Sequence, residues 1–207
     1  MKTKQDYIGD IAEIRSMMER TSKFLSLSGW AGVMAGIYAI AAVYLAYTVL
    51  GFNPGGITYG TAPANPAPAL PQLLTLAIGT LLLAVGTAVF LSHRKSSKRG
   101  ENLWNSTSRR MVTTMIIPLV TGGVSILILL SYGLVGLAAP LSLIFYGLAL
   151  YSAGNFTYSA VKWLGGIEIT LGLIGLGFIS YGLICWTIGF GLLHIVYGIY
   201  IYYRFEK

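Results

Sequence analysis

Six stretches of this sequence, about residues 28–50, 72–92, 111–131, 134–154, 160–180 and 183–203, each run for some twenty residues with almost no charged side chain. A helix rises about 1.5 Å per residue, so each stretch reaches across the roughly 30 Å hydrocarbon core of a bilayer. Backbone N–H and C=O groups in hydrocarbon must be satisfied internally, and for single apolar spans of this length that means helix. The expected fold is therefore all-α, a polytopic membrane protein with six transmembrane helices. Of 207 residues, 55% are hydrophobic and 10% charged, which leaves no room for a separate soluble catalytic domain. The chain divides into residues 1–26, read as an amphipathic helix, and residues 27–207, read as the six-helix bundle.

Lysine and arginine set the orientation. Lys2, Lys4, Arg15, Arg20 and Lys23 precede the first span, and Arg94, Lys95, Lys98, Arg99, Arg109 and Arg110 lie between the second and third. Lys162 falls between the fourth and fifth, and Arg204 and Lys207 follow the sixth. All lie on one side of the membrane, so the positive-inside rule predicts that both termini are cytoplasmic. The net charge of +7 is thereby explained by topology, and nucleic acid is not an expected partner. The first span exceeds a signal-peptide core and follows a polar segment, so it is expected to be retained. On the opposite side, GFNPGGITYGTAPANPAPALP carries five prolines and no charge, which suits an extended strap or a plain connector.

Before the first span, Tyr7, Ile11, Ile14, Met18, Thr21 and Leu25 recur at spacings of four and three, marking one helical face. Such a helix either lies along the cytoplasmic interface or offers a docking face to a cytoplasmic protein partner or a second copy. The basic segment SHRKSSKRGENLWNSTSRR suits anionic lipid headgroups. Its Asn105-Ser106-Thr107 fits a glycosylation sequon, but on the cytoplasmic side it is set aside.

An internal repeat is visible. VTGGVSILILLSYGL at 120–134 aligns without gaps with ITLGLIGLGFISYGL at 169–183, and SYGL recurs whole. Further on, Phe145-Tyr146-Gly147-Leu148 answers Val196-Tyr197-Gly198-Ile199 after a two-residue shift. Both copies start on the same side, making a parallel repeat of a two-helix unit, unlike the inverted repeats common in secondary transporters.

Within the spans, Glu168 and His194 are the acidic residue and the histidine that lie deep. Ionisable groups there are costly, so each needs a partner or a proton. With the turn centred on Tyr181, Glu168 stands thirteen residues before it and His194 thirteen after, which predicts equal depth. Gly165, Glu168, Gly172 and Gly175 share a face of the fifth span. Thr187, Gly191, His194 and Gly198 share one of the sixth, and the two series pair in consistent register across the turn. The expectation is a glycine-lined seam between these two helices. In it the Glu–His pair either hydrogen-bonds as a lock or lines a polar pocket that takes a proton or small molecule. In the third span Thr114, Pro118, Thr121 and Ser125 share a face, with a kink expected at the proline, and could line the same cavity. The candidate ligand- or proton-binding residues are thus Glu168, His194, Thr187, Thr114, Thr121 and Ser125.

No catalytic residue, metal ligand set or cofactor is expected. HExxH, GxSxG and P-loop motifs do not occur, Cys185 is the single cysteine, and no lysine lies deep in a span. The stretch DIAEIRSMMERTSKFLSLSGWAGVMAGIYAI and the following six-span layout resemble a family of bacterial inner-membrane proteins to which no function is assigned. The repeated glycine-rich hairpins are more loosely similar to bacterial acid-resistance membrane proteins built of two-helix units. The resemblance implies the bacterial cytoplasmic membrane and supplies no site residues. Function reduces to two expectations: small-molecule or proton-linked transport or sensing centred on Glu168 and His194, or a non-catalytic interaction protein that recruits a cytoplasmic partner through its N-terminal helix.

Overall fold

The computed structural model describes residues 27–52, 70–98, 100 and 102–207. The expected amphipathic helix and most of the proline-rich loop lie outside the described residues. Those described form helices and connecting turns: α1 (Gly29–Thr48), α2 (Leu70–Lys98), α3 (Ser106–Ser131), α4 (Ala138–Ala153) and α5 (Ser159–Gly177). A sixth span, Ile179–Glu206, combines a 3₁₀ turn, α6 (Gly182–Trp186), a π-helical segment (Thr187–Leu193), α7 (His194–Ile201) and a π-helical end (Tyr202–Glu206). All six spans are long and apolar enough to cross a membrane. α2 and α3 extend beyond the apolar stretches into the basic segment between them. Asn105, noted above as part of a sequon, caps α3: its side chain accepts the Ser108 N–H at 2.9 Å while its own N–H donates to Ser108 Oγ at 2.9 Å.

Neighbours follow a simple order. α2 leans on α1, α1 crosses the sixth span, the sixth span packs on α4 and α5, and α3 covers α4; the α4–α5 contact is the most extensive. α2 and α3 are peripheral and leave Leu81, Leu82, Phe90, Ile117 and Leu127 exposed, as lipid-facing helices do.

Glycine decides where helices touch, though not where the register predicts. Gly165 lies against Gly147 and Tyr151 of α4, and Gly172 against Pro140 and Ile144. Gly191 meets Ile40 of α1, and Gly198 meets Gly29 and Val33. The expected glycine seam between the fifth and sixth spans is therefore corrected. Gly175 alone of the α5 series meets the sixth span, at Gly182 and Cys185, while Gly165 and Gly172 face α4; on the sixth span the π segment shifts the faces beyond residue 187 that an unbroken α-helix would align.

At one end of the bundle, Lys95 of α2 donates to the Leu27 carbonyl at 2.6 Å and to Glu206 Oε1 at 3.1 Å. The same Glu206 oxygen accepts the Gly29 N–H, the first amide of α1. Ser28 makes no side-chain cap there, so the carboxylate from the far end of the chain serves as one, at the positive end of the helix dipole.

The two SYGL copies fold differently. In the first, Gly133 takes φ +77, and the Gly133 and Leu134 amides bond to the Leu130 and Leu129 carbonyls, a Schellman ending for α3. In the second, α5 has already ended at Gly177; Ile179–Tyr181 form a 3₁₀ turn and Gly182, at φ −54, opens α6 against the Pro140 ring.

A Cβ on Gly147 would overlap the Gly165 carbonyl and the backbone of Ile169, whereas one on Gly166 meets open space. Gly147→Ala should cost about 1–3 kcal/mol by forcing the helices apart, and Gly166→Ala should leave the melting temperature in detergent unchanged or slightly raised. Equal effects of the two changes would contradict this packing.

Candidate functional site

The sequence placed Glu168 and His194 at one depth, and here the structure agrees. Glu168 Oε1 lies 3.4 Å from His194 Nδ1, and the carboxylate is 0% exposed. Of the two alternatives, the hydrogen bond that a lock requires is not formed. His194 Nδ1 is 3.0 Å from the Gly189 carbonyl, its nearer partner, while both Glu168 oxygens are buried without a hydrogen-bond partner among the described residues. At 3.4 Å the ring attracts the carboxyl electrostatically, but its N–H is aimed at the backbone.

This geometry fixes the tautomer. A carbonyl oxygen can only accept, so Nδ1 carries the proton. Nε2 of a neutral ring is then an acceptor, and Tyr146 Oη stands 3.0 Å from it, able to donate. The Phe190 ring lies nearly parallel to the imidazole, at 5.7 Å and 16°, and packs in turn on Tyr146 at 4.8 Å and Trp186 at 4.9 Å. The ring is therefore held from both nitrogens and one face.

The π segment makes this possible. Its wider turn brings residue 189 beneath residue 194, so the imidazole reaches the backbone five residues earlier. A Cβ at position 189 would overlap Glu168 Oε2 and the end of the Leu143 side chain, so either would have to shift to admit one. Glu168 is thus walled by the Gly189 backbone on one side and by fully buried Leu143 on another.

The other expected site residues are elsewhere. Thr187 spends its hydroxyl proton on the Leu183 carbonyl at 2.8 Å, and Thr114 spends its own on the Met111 carbonyl at 2.8 Å. Thr121 is exposed and Ser125 half-buried on α3, whose neighbour is α4 and not the Glu168 side of the bundle. The third span therefore does not line a common cavity with the pair, since α4 stands between them. Two surface concavities, one bounded by Leu45, Val49, Pro71 and Thr75 and one by Trp163, Gly166 and Thr170, touch neither Glu168 nor His194. Sequence reasoning missed Tyr146 and Gly189. The repeat carried a signal for the first, because it matched Tyr146 with Tyr197, and both pack into one cluster.

No family model, curated protein or solved structure matches this chain.

A double-mutant cycle checks the Glu168–Gly189 contact. Gly189→Ala should lower the unfolding temperature in detergent, and in a Glu168→Ala background the loss should shrink by about 1 kcal/mol or more. Additive effects would mean that the two groups do not press on each other.

Proposed function

We propose that this is a proton-linked integral membrane protein in which Glu168 takes and releases the proton and His194, held by Tyr146 and Gly189, is its exchange partner. The observation that carries the reading is a fully buried carboxyl with neither oxygen hydrogen-bonded among the described residues, 3.4 Å from an imidazole whose proton is committed to a carbonyl. Burying an ionised carboxylate without donors is expensive, so such a group changes protonation or acquires a partner. Two proton arrangements leave the site neutral, acid beside imidazole and carboxylate beside imidazolium, and they belong to the pair as a unit. With Gly189 and Leu143 against the carboxyl there is no room for an organic ligand, which favours the proton over a small molecule.

The reading places the protein in the cytoplasmic membrane with both termini in the cytoplasm, supported by the one-sided lysines and arginines and by the family resemblance. The exposed basic residues of that side would then meet anionic headgroups. The activity is non-catalytic: the proton is the ligand, and its binding shifts the packing of the sixth span on α4 and α5.

Glu168→Gln should fold with a near-normal melting temperature, because a neutral isostere fits the same space. It should lose the infrared carboxyl C=O band that appears in the wild type between alkaline and acidic buffers. A band that survives the substitution, or a wild type in which no band moves, would sink the reading.

A further inference from the structure

The surroundings of Glu168 are polar towards one end of the bundle and apolar towards the other. Towards the end where α4 begins and α5 finishes, the packing is Leu143 and Pro140, both fully buried, with Gly172 and Gly182 against the proline. Cys185 is buried there next to Gly175. The hydroxyls on that side are committed: Thr187 to the Leu183 carbonyl, and Ser142 to the Ala139 carbonyl while it accepts the Trp186 indole N–H. Towards the other end, Tyr146, Tyr197 and Tyr158 belong to one packed cluster with Leu150, Val161 and Ile201. Tyr197 lies three residues beyond His194 and packs with Tyr146 against the cluster that holds Tyr158. Tyr158 is buried, with the Lys95 ammonium 5.9 Å from its ring centre, and Lys95 pairs with Glu206 at 3.1 Å. Among the described residues, the titratable groups on this side are His194, 3.4 Å from Glu168, and Tyr146 of α4, reached through the imidazole.

We infer that the proton reaches Glu168 from the Lys95–Glu206 end alone, relayed by the phenols of Tyr197 and Tyr146 and the imidazole of His194, so that the site samples one compartment. This rests on the proton-linked reading. The relay balances as a concerted shift. An acid in the solvent at that end supplies a proton to Tyr146 Oη by way of Tyr197, and the Tyr146 hydroxyl proton passes to Nε2. The Nδ1 proton, released from the Gly189 carbonyl, crosses the 3.4 Å to Glu168 Oε1. The products are a neutral carboxylic acid, two intact phenols and the other imidazole tautomer, so an imidazole with two distinct nitrogens passes the proton on without storing it. Among the described residues no comparable chain of exchangeable protons leads to the opposite end, where Pro140 and Leu143 are fully buried.

The test uses the full chain in lipid nanodiscs, a rapid pH jump and time-resolved infrared detection of the Glu168 band, assigned by its loss in Glu168→Gln. Tyr146→Phe and Tyr197→Phe should slow the appearance of the band roughly tenfold or more, the low side of what a positioned proton donor contributes. In Tyr197→Phe the final amplitude and the melting temperature should stay near wild type, whereas Tyr146→Phe, which strips His194 Nε2 of its donor, should also lower the melting temperature. Thr187→Val, on the opposite side, should leave the rate unchanged. A purely structural role for Tyr197 would move amplitude and stability and not the rate alone. Rates unchanged in both phenylalanine variants, or slowed by Thr187→Val, would overturn the one-ended route while Glu168 remained the proton site. A wild type whose band does not respond to pH would instead overturn the proton-linked reading itself.

Discussion

Where Gly147 of α4 meets Gly165 of α5, the carbonyl of each lies so close to the opposing Cα that no side chain can stand between them. The same constraint recurs where Gly29, Gly32 and Gly36 of α1 cross Gly198, the His194 carbonyl and Gly191 of the sixth span. In a bilayer no hydrophobic force draws helices together, so close backbone approach and the dispersion contacts it permits carry much of the association. These two crossings fix α5 relative to α4 and the sixth span relative to α1. The depths of Glu168 and His194 follow from these two crossings.

That arrangement explains why an unpartnered carboxyl is tolerated. The backbone contacts on either side hold the cavity walls whether or not Glu168 finds a donor, and the π segment commits the neighbouring imidazole to Gly189 and Tyr146. A helix of regular pitch would present a different face at residue 194. The bulge is thus a local departure from the most stable helix that aims one ring, the kind of irregularity that π segments commonly bring to functional sites.

Much of the architecture was legible in the residues. Length and continuous apolarity marked all six spans, and because helix rise is uniform, counting residues from Tyr181 brought Glu168 and His194 to one depth. The partners of the glycines were not legible. A small residue states that something comes close without stating what, and a pairing within one hairpin ignored the third helix that competes for each face. Nor did composition announce the π segment, since TIGFGLL reads as well in an α-helix. Thr114, Thr121 and Ser125 share a face by spacing, but spacing cannot tell whether that face meets the core, a neighbour or lipid. SYGL makes the same point, one tetrapeptide ending a helix in one place and preceding another elsewhere.

The clamp formed by Glu206, Lys95 and the Gly29 amide joins residues 177 positions apart. During synthesis α1 enters the membrane before residue 206 exists, and α2, linked to it by the Tyr38–Thr87 hydrogen bond at 3.2 Å, is the neighbour already made. The glycine face of α1 then has only lipid to rest against. Assembly of this bundle is accordingly ordered by translation: among these six helices α1 is made early yet seated late, because the contact that closes it waits for the sixth span.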